Sequence, residues 1–367
     1  MDVQLTDAQR MLSDTARDWL RHRWPEAAAR QYFEDQSLSP SLWEELASLG
    51  WLGVGISEGS GGTGRNLSDV VTLQEQFGAA LFPTLASSTL LVARLIDGAT
   101  SDRDGMAELL ARLTSGRRSA TVAAQEMTGG FLTIPGGTKM RRHGDGWVLS
   151  GEKWFVRDAA RASLFAVQAC VDGESDPVWA LVEASATGVQ LSRQESAAHD
   201  GQHRVSFNSV VVPTHMVIVN ADTAPLADAM VLEAARLAGI GSRAHAMAIN
   251  HAKNRVQFGR PIGSFQAIQH KVADMTTDVE SSLLATYFAA YSLDTGQHGF
   301  LQALVAKLWA SEAIQRVVRE AHQIHGGVGY ITEHSLHLYY RNAATSALLF
   351  GSPYELTPAI AAQLLES

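Results

Sequence analysis

Residues 255–275 read RVQFGRPIGSFQAIQHKVADM. The stretch predicts the end of one helix, a tight turn and the start of another. Arg255, Phe258 and Gly259 are expected to close the first helix. Arg260-Pro261-Ile262-Gly263 is expected to make the turn, because proline fixes φ and glycine accepts a positive φ. Phe265, Ile268, Val272 and Met275 recur at helical spacing and predict a buried stripe, with Gln266, Gln269 and His270 on other faces. On periodicity alone this is an ordinary helical hairpin.

The flanking chain extends that pattern. Residues 1–117 read as helical. Thr6 with Gln9, and Ser41 with Glu44, have the spacing of a capping box, and Gly50 is placed to stop a helix in the left-handed region. Asn66 to Phe77 predicts an amphipathic helix with Leu67, Val70, Val71 and Leu73 inward, and Leu85 to Ile96 predicts a buried one. Between them Gly59-Ser60-Gly61-Gly62-Thr63-Gly64 satisfies G-x-G-x-x-G. A dinucleotide fold also needs a second strand ending in an acidic residue, and Phe82 to Ile96 is helical instead, so the run is read as a loop. From Ser119 to Val212 short β-rich runs alternate with turns: Thr121 to Gln125, Thr138 to Arg142, Trp147 to Leu149, Leu164 to Ala169, Val178 to Glu183 and Val205 to Val212. His143-Gly144-Asp145-Gly146 is a hairpin signal. From Ala224 onward the chain is helical again. Met230, Ala234, Leu237, Gly241, Ala244 and Ala248 line one helix face with small residues, Leu301 to Ile324 predicts a long amphipathic helix, and the last helices run from Ser335 to Leu365. The expected domains are 1–117, helical; 118–222, β; and 223–367, a helical bundle.

Composition narrows the function. A chain of 367 residues, 46% hydrophobic and 18% charged, is globular. Its net charge of −9 argues against nucleic acid as a partner. One cysteine, Cys170, excludes an internal disulfide framework and fits a reducing cytoplasm; it lies in an apolar strand and reads as core. The N-terminal residues show no secretory signal, and no apolar run approaches the ~20 residues of a membrane span. His322/His325 and His334/His337 are each three apart, but no carboxylate accompanies them at a zincin spacing, so no metal site is expected. There is no G-x-S-x-G nucleophile elbow.

The wording of residues 255–275 is more specific than their period. R-x-Q-F-G-R-P-I-x-x-F-Q-x-I-Q-H-x-x-A-D-M resembles the C-terminal helical domain of acyl-CoA dehydrogenases. Gln323-Ile324-His325-Gly326-Gly327-Val328-Gly329-Tyr330, then Thr332-Glu333 and Tyr340-Arg341-Asn342, resemble a second block of that family. The resemblance implies an α+β fold: an N-terminal helical domain, a middle antiparallel β domain and a C-terminal four-helix bundle. It implies FAD as cofactor, an acyl-CoA thioester as substrate and an electron-transfer acceptor. In the family a carboxylate removes the α-proton, the flavin accepts a hydride from the β-carbon, and hydrogen bonds to the thioester carbonyl stabilise the enolate-like charge. The FAD site is shared between subunits. The half that reaches into a neighbour's site would be Arg255, Phe258, Gln266, Gln323, Gly326 and Gly327.

The other half departs from the family. A Trp-Ile-Thr triplet usually follows Gly-x-Lys. Here Gly151-Glu152-Lys153-Trp154 runs into Phe155-Val156-Arg157, putting a bulky cation where a small hydroxyl would approach the flavin ring. The T-E-P-x-A-G-S-D segment is reduced to Gln125-Glu126-Met127-Thr128-Gly129-Gly130. Counting from Arg341 puts Phe350 at the usual position of the catalytic Glu. Counting back from Arg255 to the alternative position lands near Ala229, with Met230 beside it. Glu233 and Glu355 are the nearest substitutes, and ordinary helix charge is the competing reading of both. The departures imply a partner subunit of a heterotetrameric acyl-CoA dehydrogenase, a second dehydrogenase-like chain supplying base and ring site. Such two-chain enzymes in the family often take bulky acyl-CoAs such as steroid side chains. The alternatives are a self-sufficient homotetramer with a relocated base, a flavin-dependent monooxygenase on the same fold, and a non-enzymatic scaffold.

Overall fold

The computed structural model describes residues 5–64, 66–99, 105–132, 136–172, 177–219, 224–297 and 299–366. The first helix begins at the predicted capping box. Thr6 Oγ1 accepts from Gln9 N at 3.2 Å and Gln9 Oε1 accepts from Thr6 N at 3.0 Å, opening α1 (Asp7–Arg23). α2 is Glu26–Asp35. The second expected box does not form. α3 (Pro40–Ser48) starts two residues earlier, with Ser39 as cap and no side-chain cap bond, because Pro40 supplies a preset φ at the first helical position. Gly50 follows at φ 75°. α4 (Leu67–Ala79) and α5 (Leu85–Ala99) are buried as predicted, with Leu67, Val70, Val71 and Leu73 fully inaccessible. α6 is Met106–Thr114. The Gly59–Gly64 run is a 3-10 turn and loop, not a strand-to-helix phosphate loop.

By packing, the chain forms two compact units. One takes Met1–Asp35, Leu67–Phe82 and Met230–Ser367; the other takes Gln36–Asn66 and Pro83–Ala229. The expected boundary at 222/223 lies outside the described residues.

The second unit is built on a sheet of β1 (Ala120–Ala123), β2 (Lys139–His143), β3 (Gly146–Val156), β4 (Leu164–Val171), β5 (Pro177–Glu183), β6 (Val189–Arg193), β7 (His203–Pro213) and β8 (Val217–Ile218). The order is β6-β7-β3-β2-β4-β5-β8, with β1 also on β4. Most pairings are antiparallel, including the predicted hairpin, where His143 faces Gly146 across a loop with Gly144 at φ 57°. β1 and β2 share one edge of β4 and run parallel to it. Sequence reading had foreseen only antiparallel pairs and had missed β6 and β8. β6 is mostly exposed and β8 is two residues long, so neither shows an apolar alternation. Phe165, Val167, Phe207 and Val210 lie in the core.

An ion pair anchors this unit. Lys153, fully buried on β3, donates to Glu126 Oε1 at 2.9 Å and to the Ala124 carbonyl at 3.0 Å. The same carboxylate accepts from the backbone N–H groups of Gly136, Gly137 and Thr138 at 3.1, 2.8 and 2.9 Å. Burial alone would raise the Glu126 pKa, but Lys153 and these donors outweigh it and hold it below the usual value. Burial pulls Lys153 down to about 8 against the attraction of Glu126. The family segment shortened in sequence therefore keeps a structural carboxylate.

The helical unit continues with α7 (Ala224–Asn254), β9 (Val256–Gln257), β10 (Arg260–Pro261), α8 (Gln266–Asp294), α9 (Gly299–His325), α10 (Leu336–Leu348) and α11 (Pro353–Glu366). α9 is the central rod. Its Ala303, Ala306, Ala310, Ala313, Val317 and Ala321 are inaccessible, and α8, α10 and α11 pack on it. The small face of α7 is buried as predicted.

Truncating Lys153 to Met leaves a buried carboxylate with its charge partner removed. The expected cost is about 3–5 kcal/mol, read as a lowered urea midpoint; an unchanged midpoint would show that the pair is dispensable.

Candidate flavin-contacting segments and the base position

The deciding stretch folds differently from its sequence reading. α7 stops at Asn254, and Arg255 N still donates to His251 O at 2.8 Å. β9 and β10 then pair as a two-residue hairpin, Gln257 opposite Arg260. The turn is Phe258-Gly259, with φ of 51° and 76°, not Arg260–Gly263. Positive φ at both central positions is the hairpin geometry whose twist matches the strands. Ile262 N donates to Arg255 O at 2.8 Å and closes the loop, Ile262–Ser264 is a 3-10 turn, and Gln269 Nε2 holds the Gly263 carbonyl at 3.0 Å. Phe258 is 92% exposed. Phe265 supports the hairpin from below: Phe258 meets it edge-on at 6.0 Å and the Arg260 guanidinium lies 4.2 Å over its ring. Of the expected buried stripe only Met275 is buried; Phe265, Ile268 and Val272 are half-buried. That stripe has the right period but covers a surface as well as a core.

Arg255 and Gln266 are exposed, as are Gln323, Gly326 and Gly327 at the far end of α9. Stacking joins the two ends. The His251 ring, one turn before Arg255, lies 4.4 Å from His325, and His325 lies 4.9 Å from His334. Gly326 has φ 61°, and a Cβ on Gly326 or Gly327 would meet nothing. Exposed Arg255 stands one turn beyond His251 and Gly326 directly after His325, and a cationic fork, an amide and bare backbone are donor types suited to a diphosphate. Among the described residues no group of three His, Cys, Asp or Glu side chains is placed to hold an ion. His322 and His325 each give Nδ1 to a backbone carbonyl one turn back, Val318 at 2.8 Å and Ala321 at 2.7 Å.

Phe350 occupies the corner between α10 and α11 at φ 54°, followed by Gly351 at φ 103°. Lys307, fully buried on α9, pins that corner by donating to the carbonyls of Ala347 at 3.1 Å and Gly351 at 2.9 Å. Glu355 is a helix cap: its Oε2 accepts from Ser352 N and Oγ at 2.9 and 2.8 Å. Glu233 is buried in α7 at 5% exposure.

In the β unit Phe155-Val156-Arg157 stands where the family's triplet is expected, with Arg157 at the place of its hydroxyl. Val156 is buried in the core. Arg157 is folded inward, 6% exposed, and pairs with Asp200 at 3.2 Å while Gln202 holds the same carboxylate oxygen at 3.0 Å. Sequence reading missed Asp200 because nothing in its neighbourhood marks a partner 43 residues away. Phe155, Asp158 and His199 around this pair have φ of 57°, 55° and 53°.

Residues 6–117 match the acyl-CoA dehydrogenase N-terminal domain and residues 223–365 the C-terminal domain. Cyclohex-1-ene-1-carbonyl-CoA dehydrogenase from Geobacter metallireducens is 30% identical over 95% of both chains. Acyl-CoA dehydrogenase IpdE2 from Mycolicibacterium smegmatis is 29% identical over 91% of both. The ChsE4-ChsE5 complex from Mycobacterium tuberculosis superimposes with a TM-score of 0.91 at 25% identity over the full length of both chains. The chain belongs to the acyl-CoA dehydrogenase family, FAD-dependent oxidoreductases of acyl-CoA thioesters. No helix among the described residues is long and apolar enough to cross a membrane.

The histidine stack gives the helical unit an acid limit. Burial, then repulsion from neighbouring histidines against the bond to Ala321, pulls His325 down to about 4, and burial also lowers His251 and His334. A histidine with a depressed folded pKa loses stability as pH falls from its unfolded value near 6.5 toward its folded one. The unfolding midpoint is expected to drop between pH 7 and pH 5, and His325→Asn to flatten that slope; an identical slope in the variant would remove the stack as its cause.

Proposed function

We propose that this chain is a subunit of a heterotetrameric acyl-CoA dehydrogenase, completing the FAD site of a catalytic sister chain that carries out α,β-desaturation of an acyl-CoA. The observation that carries the proposal is the corner at Phe350. The place where the family's base is expected holds an apolar ring, at a corner whose backbone Lys307 pins. Glu355, five residues on, has one carboxylate oxygen held by the helix cap and the other buried without a partner. By contrast Arg255, Phe258, Gln266, Gln323, Gly326 and Gly327 are exposed, as groups that serve a neighbouring chain must be.

The residues present fit the cofactor on one side only. Arg255, Gln266, Gln323 and the bare backbone at Gly326 and Gly327 would hold the diphosphate and adenosine portion of an FAD seated in the sister chain. Bound FAD supplies the hydride acceptor. This chain's part is to fix the cofactor's tail and exclude water from it. Its own β unit fits the ring poorly, since Arg157 stands where a hydroxyl is expected and is committed to Asp200. The ChsE4-ChsE5 structure is itself a complex of two differently named chains, which supports a two-chain reading. A steroid side-chain or other bulky acyl-CoA is the proposed substrate class, and the electrons would leave through a separate acceptor protein.

Glu233 favours a second reading, a homotetramer with a relocated base, because it is a buried carboxylate one turn from the family's alternative base position. FAD content and native mass separate the two. Purified alone, the chain is expected to carry no FAD; co-expressed with a neighbouring dehydrogenase-like gene, the complex is expected to carry about one FAD per two chains. One FAD per chain in a homotetramer that turns over acyl-CoA, with turnover lost in Glu233→Gln, would overturn the proposal in favour of the second reading.

Phe258 offers a second test. A bulky residue at positive φ costs about 1–3 kcal/mol, and glycine relieves that strain. Phe258→Gly is expected to raise the unfolding midpoint of the isolated chain and to weaken FAD retention by the mixed complex. Retention unchanged after dialysis would deny Phe258 a role across the interface.

A further inference from the structure

A second concavity lies in the helical unit, between α1, α2, α4, α7 and α10, with a volume of about 660 Å³. That is the size range of small-molecule sites. Its wall is largely apolar and includes Leu20, Trp24, Ala29, Leu81 and Leu338. Trp24 is 6% exposed, and its indole Nε1 has no hydrogen-bond partner. Three arginines line the cavity, and they are not equivalent. Arg17 pairs with Asp14 at 3.0 Å and Arg21 pairs with Asp18, each on its own helix. Arg243 has no carboxylate partner among the described residues. It lies beside the Tyr339 hydroxyl, which donates to Ala79 O at 3.0 Å. Two carboxylates also line the space. Glu26 is engaged by Ser335 Oγ and by Arg30 at 3.6 Å. Glu75 receives the Tyr287 hydroxyl at 3.4 Å, and burial raises its pKa, which softens its repulsion of an anion.

We propose that this cavity binds a monocarboxylate with an apolar tail, the tail against Trp24, Leu20 and Leu338 and the carboxylate on Arg243. A guanidinium fork suits a carboxylate better than a point charge does. A doubly charged phosphate head suits the cavity less, since Glu26 and Glu75 share the space with only one uncommitted cation. A cationic head would meet Arg243 and find Glu26 already engaged. The site is independent of the flavin role proposed above, because none of its residues belongs to the Arg255 or Gln323 segments. Its walls nonetheless include α7 and α10, so an occupant braces the two helices that lead to the Arg255 hairpin and the Phe350 corner.

The test is calorimetric titration of the purified full chain, with whatever partner and flavin it retains, using decanoate and decylammonium as probes. Decanoate is expected to bind saturably at one per chain and to raise the unfolding midpoint, with decylammonium at least tenfold weaker. Arg243→Gln is expected to weaken decanoate at least tenfold. Ala246→Trp, which fills the cavity from its exposed rim, is expected to abolish binding while leaving the circular dichroism spectrum unchanged. Equal decanoate affinity in both variants would place the fatty chain elsewhere and overturn the proposal, as would absence of saturable binding or equal affinity for decylammonium.

Discussion

The helical unit depends on one close crossing. α4 and α7 meet backbone against backbone: a Cβ on Gly78 would strike the Arg236 carbonyl, and one on Gly239 would strike the carbonyl of Glu75. Only glycine at both positions permits that approach. The crossing fixes much that follows. Arg236 Nη1 donates to Phe82 O at 3.0 Å and holds the chain as it leaves α4. Tyr339 reaches Ala79 O from α10, so α7 and α10 both register on a few residues of α4. The direction given to α7 carries its last turn to the α9 end, where His251 and His325 stack. The cavity lies along the same crossing, with Glu75 and Ala79 on one wall and Ser242 and Arg243 on another.

Two phenylalanines in left-handed backbone show how differently strain is held. Phe350 is confined from inside, by a buried ammonium on the carbonyls around it. Phe258 stands almost wholly in solvent, supported only by Phe265. The first is explained by the fold, since that corner supplies two of the carbonyls that the buried Lys307 ammonium needs. The second is not. A hairpin with Asn or Gly in place of Phe258 would form more easily, so the packing of this chain gives no account of the ring.

Legibility in the sequence followed the range of the interaction. Local rules performed well: the Thr6 cap, the buried face of α4, the long α9 and the Gly144 hairpin all depend on neighbours within a few residues. Ser41 failed because Pro40, one position earlier, competes for the helix start. The 255–275 turn was misplaced because proline and glycine at Arg260–Gly263 are the usual signal, while Phe-Gly is a poor one and the hairpin is set by the Ile262–Arg255 bond. The stripe on α8 is readable as apolar but not as half-buried, since period does not distinguish a core from a partly exposed face. Arg157 was readable as an oddity, but its pairing with Asp200 is a long-range contact. The parallel edges of β1 and β2 on β4 likewise have no local signature.

The asymmetry between the two halves of the proposed site has a physical reading. Exposed side chains that make no contact in their own chain are the cheapest to change, because surface substitutions usually move stability by less than about 0.5 kcal/mol. If this chain had merely lost its catalytic role, the exposed arginine, glutamines and strained Phe258 have no folding reason to remain. The residues at the positions where the family's chemistry is expected are well packed: Phe350 at the corner that Lys307 pins, and Arg157 with Asp200. Packed side chains around Phe350 and Arg157, and exposed polar groups at Arg255, Gln266 and Gln323, are the two observations on which the proposed partner role rests.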